Sequence, residues 1–167
     1  MAATEFAVPA ELSTLDNVDD TQPRADDCAL GPHRRIPILS VSPDENDHNA
    51  LLQIVDELPF LLTAAWTCRE AARYLDTEPF GIVLCECKLP DGNWVEILNR
   101  TSRALEPPLL IVTSRLADVS LWAEVLNLGG YDLLAKPFNR QEVRHVLTSA
   151  WVQRANPVGR TCAAGAA

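Results

Sequence analysis

The chain has little of what marks a membrane, nucleic-acid or metal-stabilised protein. No window approaches the roughly 20 consecutive apolar residues of a membrane-spanning helix. The start, MAATEFAVPAELSTLDN, has neither the basic segment nor the long apolar stretch of an export signal. The cytoplasm is the expected compartment, with no membrane association. Positive charge is scarce: 14 Lys and Arg stand against 23 Asp and Glu, a net charge of -9. That balance argues against a surface built to neutralise phosphates, and hence against a nucleic-acid partner. The five cysteines, at 28, 68, 85, 87 and 162, are odd in number, form no CxxC pair and have no histidine at ligand spacing, so neither a disulfide framework nor a zinc site is expected. There is no glycine-rich phosphate loop and no nucleophile-base pair, which argues against a small enzyme.

What is present is apolar substance in short pieces. Of 167 residues 47% are hydrophobic, enough for one sizeable core. Residues 1–35 lack either hydrophobic period and carry seven acidic residues against three basic ones, the pattern of a disordered acidic leader. Residues 155–167 are rich in small residues, and Asn156-Pro157 is a helix-stopping turn signal, so a flexible tail is expected there. Between them, over 36–154, short apolar runs alternate with helical patterns, which implies an α/β domain with a parallel sheet covered on both faces.

Ile36-Pro37-Ile38-Leu39-Ser40-Val41 reads as the first strand. Ser42 and Asp44 behind it are competent N-caps for a helix over 44–57, with Ala50, Leu51, Ile54 and Val55 on one face. A strand over 60–66 follows, then a capping box of Thr67 and Glu70 opening a helix to about 76. The run Gly81-Ile82-Val83-Leu84-Cys85 is a central strand that delivers Glu86 to its carboxyl end. Asp91 lies in a Pro-Asp-Gly turn, which accounts for it without a catalytic role. A helix over 94–103, a strand over 109–112, a helix ending at Gly129-Gly130, a strand over 131–135 and a last helix begun by Asn139 and Glu142 complete five strands and five helices in alternation. Trp122 and Trp151 fall on apolar helical faces and read as core, although Leu121 beside Trp122 widens the stripe beyond one face, an excess that would also suit a binding surface; His33, His48 and His145 read as surface histidines.

In such a sheet the ligand crevice lies outside the carboxyl ends of the strands. The residues delivered there are Ser42 and Pro43, Glu86, Thr113 and Lys136. With Glu86-Cys87-Lys88-Leu89-Pro90-Asp91-Gly92 after the third strand and Ala135-Lys136-Pro137-Phe138 after the fifth, the stretch from about Ile36 to Trp151 resembles the receiver domain of response regulators. The resemblance implies a flavodoxin-like, doubly wound (βα)5 fold with strand order 2-1-3-4-5. It implies that Glu86 stands where the family carries its phosphate-accepting aspartate. By the same resemblance Thr113 and Lys136 hold the phosphate-contacting and charge-balancing stations, and Ser42 and Pro43 replace the acidic pair that binds magnesium.

A serine hydroxyl beside a proline supplies no carboxylate to a hard ion, and phosphoryl transfer depends on that neutralisation. The reading is therefore an atypical receiver, without cofactor, that signals by protein-protein binding; no effector domain is expected after it. Asp44 is a weak candidate metal ligand, its spacing suiting a helix cap better. Glu86 either imitates an aspartyl phosphate toward Lys136 and Thr113 or forms an ion pair with Lys136 that satisfies two partly buried charges. Leu133 occupies the position of the family's switching aromatic, with Tyr131 two residues earlier on the same side of the strand. The resemblance places the partner surface on the fourth helix, fifth strand and fifth helix, for a histidine kinase, a downstream regulator or a second copy of the chain. The alternative is a working phosphoacceptor in a relay, with Mg2+ held by a rearranged site.

Overall fold

A computed structural model describes residues 35–155. The acidic leader and most of the small-residue tail lie outside the described residues, as does His33. Five strands form one parallel sheet: β1 (Ile36–Val41), β2 (Phe60–Ala65), β3 (Ile82–Glu86), and further along the chain β6 (Leu109–Ser114) and β7 (Asp132–Ala135). Their order is β2-β1-β3-β6-β7, which is 2-1-3-4-5 counted along this sheet, with every pairing parallel. Helices α1 (Glu45–Val55), α2 (Cys68–Thr77), α3 (Trp94–Thr101), α4 (Val119–Leu128) and α5 (Arg140–Ala155) connect the strands and close the chain.

The sheet has a core on each face because alternate strand residues point to opposite sides. Ile36, Ile38, Ile82, Leu84, Ile111 and Leu134 meet α1 and α5. Leu39, Val41, Val83, Cys85, Leu110 and Val112 meet α2, α3 and α4. The near-unbroken apolar character of β1, β3 and β6 follows from burial on both faces. Trp151 packs against the α1-α5 core, as its helical position predicts. Trp122 does not: it is 46% exposed, and its indole N–H donates to Asp132 Oδ1 at 3.1 Å. Tyr131 and Leu133 pack against opposite cores rather than on one side. Tyr131 precedes β7, so the two-residue alternation does not yet govern it.

The Leu-Pro-Asp-Gly stretch holds an element that composition did not announce. Lys88–Leu89 (β4) and Gly92–Asn93 (β5) pair antiparallel around Pro90-Asp91 as a two-stranded hairpin. Asp91 does more than turn the chain. Its two carboxylate oxygens accept from the backbone amides of Cys68 at 2.7 Å and Arg69 at 3.0 Å, the otherwise unpartnered donors at the start of α2. Those bonds, the Arg69 amide foremost, hold its carboxyl below the usual aspartate range. Thr67 caps the same helix by accepting from the Glu70 amide, while Glu70 reaches back to the Trp66 amide rather than to Thr67. The hairpin is thereby clamped to α2. Asp91→Ala is expected to cost about 1 kcal/mol, read as a lowered urea midpoint; an unchanged midpoint would mean that Thr67 alone suffices as the cap.

Candidate functional site

The carboxyl ends of β1, β3, β6 and β7 converge, and what they deliver is a single buried cation between two carboxylates. Lys136, at the end of β7, is buried, and its Nζ bonds both Glu86 Oε2 at the end of β3 and Asp47 Oδ2 in the first turn of α1. The ammonium also lies 5.7 Å from the centre of the Phe138 ring, within cation-π range. Asp47 is the residue that sequence reasoning missed, because it sits in a helix start rather than at a strand end. A signal for it was present: Asp47, Leu51, Ile54 and Val55 share the buried face of α1, and a carboxylate in register with an apolar stripe must find a partner.

Ser42 is buried and holds Asp47 in place, its hydroxyl donating to Asp47 Oδ2 at 2.6 Å and accepting from the Asp44 amide at 3.2 Å. Pro43 is exposed at the rim. Asp44 caps α1: Oδ1 accepts from the Asn46 amide at 3.0 Å, and Oδ2 from Arg115 at 3.0 Å. The Asn46 bonds, then Arg115, hold its carboxyl below the ordinary value. Thr113 is buried beside Glu86 in the β3-β6 register, and its carbonyl accepts from the Cys87 amide at 2.9 Å. Among the described residues its hydroxyl makes no hydrogen bond to Glu86 or Lys136, and the next residue, Ser114, lines the cavity above them. That cavity, of about 400 Å³, is lined by the Asp47, Glu86 and Lys136 group, by the charged Asp44, Lys88 and Arg115, and by Pro43, Leu116 and Leu121.

These residues do not fit a magnesium ion. The Lys136 ammonium already engages one oxygen of each of the two deepest carboxylates, and Asp44 is engaged by Arg115. Among the described residues no group of three or more His, Cys, Asp or Glu side chains is disposed to hold a metal. Such an ion requires several oxygen ligands in near-octahedral array.

His48 is buried, not a surface histidine, whereas His145 is exposed. Its Nε2 lies 3.0 Å from the Ser42 carbonyl, which only accepts, so Nε2 carries the proton and Nδ1 accepts from the Ser40 hydroxyl at 2.9 Å. Trp66 meets the ring edge-on at 5.2 Å between centroids. Burial, the largest influence, pushes the imidazole pKa below its ordinary 6.5, and Lys136 acts the same way; the Ser42 bond, Asp47 and Glu70 oppose them. Of the thiols, Cys68 is pushed up to about 11 by burial and then by Asp91. Burial likewise raises Cys87, so neither is an activated nucleophile.

Comparison with known proteins agrees with the fold. The response regulator receiver domain profile matches residues 38–148. The transcriptional regulatory protein FixJ of Bradyrhizobium diazoefficiens is 32% identical over 114 residues, 64% of this chain and 55% of that protein. The chain therefore spans about half the length of this relative. Among solved structures, the signal receiver domain of an HD domain-containing protein from Pseudomonas fluorescens is similar, with a TM-score of 0.66 and 27% identity over 72% of this chain and 98% of that one. A CheY-like receiver domain protein from Methanospirillum hungatei has a TM-score of 0.67 at 21% identity, covering 74% of this chain and 98% of that one. The chain belongs to the response regulator receiver domain family, the receiver domains of two-component signalling.

Two outcomes follow from the site. Lys136→Met removes the only partner that the two carboxylates share, and is expected to cost about 3–5 kcal/mol, the usual loss when one member of a buried ionic group is removed; chemical denaturation measures it, and a loss under about 1 kcal/mol would refute the structural role. His48 has a lower pKa folded than unfolded, so the unfolded chain binds more protons as pH falls through 6.5. Stability from His48 is thus full above pH 6.5 and declines below it. Urea midpoints at pH 7.5 and 5.5 should fall for the native chain and fall less for His48→Gln; equal declines would remove His48 as the cause.

Proposed function

We propose that this receiver domain is a non-enzymatic binding module whose site is held by its own lysine rather than set by aspartyl phosphorylation. The observation that carries the reading is the Lys136 bridge: one ammonium joins the carboxylates of α1 and β3 in a buried arrangement. A longer carboxylate at position 86 reaches that ammonium directly, and the serine and proline at 42 and 43 add no metal-binding charge. Glu86, Thr113 and Lys136 then serve as a fixed structural set.

The binding face is α4, β7 and α5. Only Val125 of α4 is fully buried, while Val119, Trp122, Leu126 and Leu128 are exposed on a helix whose one charged residue is Glu124. Exposed apolar area of that kind marks a protein interface. A protein partner, a histidine kinase or a downstream regulator, is the occupant in this reading, with a second copy of the chain as the self-associating form. The surplus of acidic over basic residues speaks against nucleic acid. No helix among the described residues is long and apolar enough to cross a membrane, and the module acts inside the cell.

The test is intact mass after incubation with acetyl phosphate and magnesium, for the native chain and Glu86→Asp. No phosphoryl adduct on either is expected. An adduct on the native chain would sink the reading and return the protein to a relay; an adduct on Glu86→Asp alone would show that only the residue at 86 was altered, and that the metal site survives.

A further inference from the structure

The two edges of the sheet are finished differently. The β7 edge is short and guarded: Asp132 Oδ1 accepts the Leu133 amide at 2.8 Å, the donor that strand alternation turns away from β6. The same oxygen takes the Trp122 indole N–H, so α4 reaches over that edge. At β2 no such guard is present among the described residues. Its six residues, Phe60-Leu61-Leu62-Thr63-Ala64-Ala65, are uncharged, and so is the whole stretch from Leu58 to Cys68. The ladder to β1 opens with the Ile36 amide donating to the Pro59 carbonyl at 2.7 Å and closes with the Ser42 amide donating to the Ala65 carbonyl at 3.0 Å. Bonds in a parallel ladder fall on alternate residues, so Leu61, Thr63 and Ala65 bond inward, while Phe60, Leu62 and Ala64 turn amide and carbonyl outward. Nothing among the described residues bonds those outward groups, since β2 ends the sheet. Leu61 is 53% exposed, and Trp66, just past the strand, 43%. Uncharged edges of this length are the ones that chains otherwise blunt with a charge, a bulge or a covering element.

We infer that the free edge of β2 is a self-association surface, which takes β2 of a second copy of this chain antiparallel about a two-fold axis at Leu62. That placement opposes Leu62 to Leu62 of the second copy, and Phe60 to its Ala64, so every outward amide meets an outward carbonyl. The intervening pairs set Leu61 against Thr63 of the second copy, at the non-hydrogen-bonded positions where side chains approach most closely, and cover the exposed Leu61. The strand is thus complementary to itself under the commonest symmetry of homo-oligomers. Charge favours this stretch for a second copy: a net charge of -9 opposes the approach of two identical chains, and the opposition is least where neither presents a charge. The second copy's strand also arrives already extended, so pairing costs less ordering than it does for a loose peptide. Both outer edges of the joined sheet are then the guarded β7. The surface is separate from α4, because β2 and β7 are opposite edges; its failure leaves the α4 reading and the phosphorylation test untouched.

The test is residue-resolved amide hydrogen exchange on the full chain, at protein concentrations from about 10 μM to 1 mM, the range suited to a small interface, with sedimentation alongside. The amides of Leu61, Thr63 and Ala65 are expected to be protected throughout. Those of Phe60, Leu62 and Ala64 should exchange about tenfold more slowly once most of the chain is paired, and only as the sedimenting mass rises toward that of a dimer. Leu61→Lys, a charge on an exposed side chain, sets two ammonium groups diagonally across the axis and should abolish both effects. Val119→Ser on α4 should change neither. Protection of Phe60, Leu62 and Ala64 at every concentration would place a segment of the same chain on the edge and overturn the inference. So would a dimer that Val119→Ser abolishes and Leu61→Lys spares, or a monomer whose three outward amides stay open at all concentrations.

Discussion

One ammonium group organises the functional end of this molecule. Lys136 comes from the far edge of the sheet, Glu86 from its middle and Asp47 from a helix behind β1, and these three elements have no other reason to place ionised groups at one point. Buried charges that are not paired are expensive, and a pair is neutral or favourable only when its remaining lone pairs are also satisfied. Ser42 meets that condition for Asp47, and His48 fixes the Ser42 carbonyl from the same turn of α1. The arrangement is an interlock: displacing any one member leaves another without its partner.

The fold was legible because its signals are local and repeated. Ile82 to Cys85 and Leu109 to Val112 are apolar on both faces, a pattern that fits a central parallel strand, and the caps Asp44, Thr67 and Asn139 mark three helix starts as their side-chain chemistry requires. The site was legible only where strand ends present it. Glu86 and Lys136 could be placed together from topology alone; Asp47 and His48 could not, because they lie inside a helix and the apolar residues beside them drew attention to packing. Their burial is a consequence of the same stripe, continued one turn toward the N-terminus by polar residues. Trp122 failed in the opposite way. Helical periodicity identifies an apolar face but not whether anything covers it, and α4 has more apolar residues than the sheet has room to bury. The reach of Asp91 to α2 depends on contacts more than 20 positions apart, which no local pattern encodes.

The two halves of the site differ in kind. The floor is charged and held by hydrogen bonds of fixed direction; the wall sets Pro43, Leu116 and Leu121 among the charged Asp44, Lys88 and Arg115 and leads toward the exposed apolar surface of α4. Surfaces that combine a small polar recess with an apolar surround gain specificity from the first and area from the second. In this protein the elements that would supply them, β3 and α4, are packed through the same core, since Val125 and Cys85 belong to one cluster.

The slight anchoring of α4 bears on motion. Hydrogen-bonded structure opens in units whose cost tracks the apolar contacts they must give up, and the units with fewest such contacts open first. A helix fastened by Val125, the partly buried Leu121, the Asp118 cap, a single indole bond to Asp132 and the left-handed Gly129 at its end has little to lose by detaching. Its amide protons should therefore exchange with solvent well before those of β1 or β3, and any molecule that covers its outer face would slow that exchange by filling in the contacts the sheet does not provide.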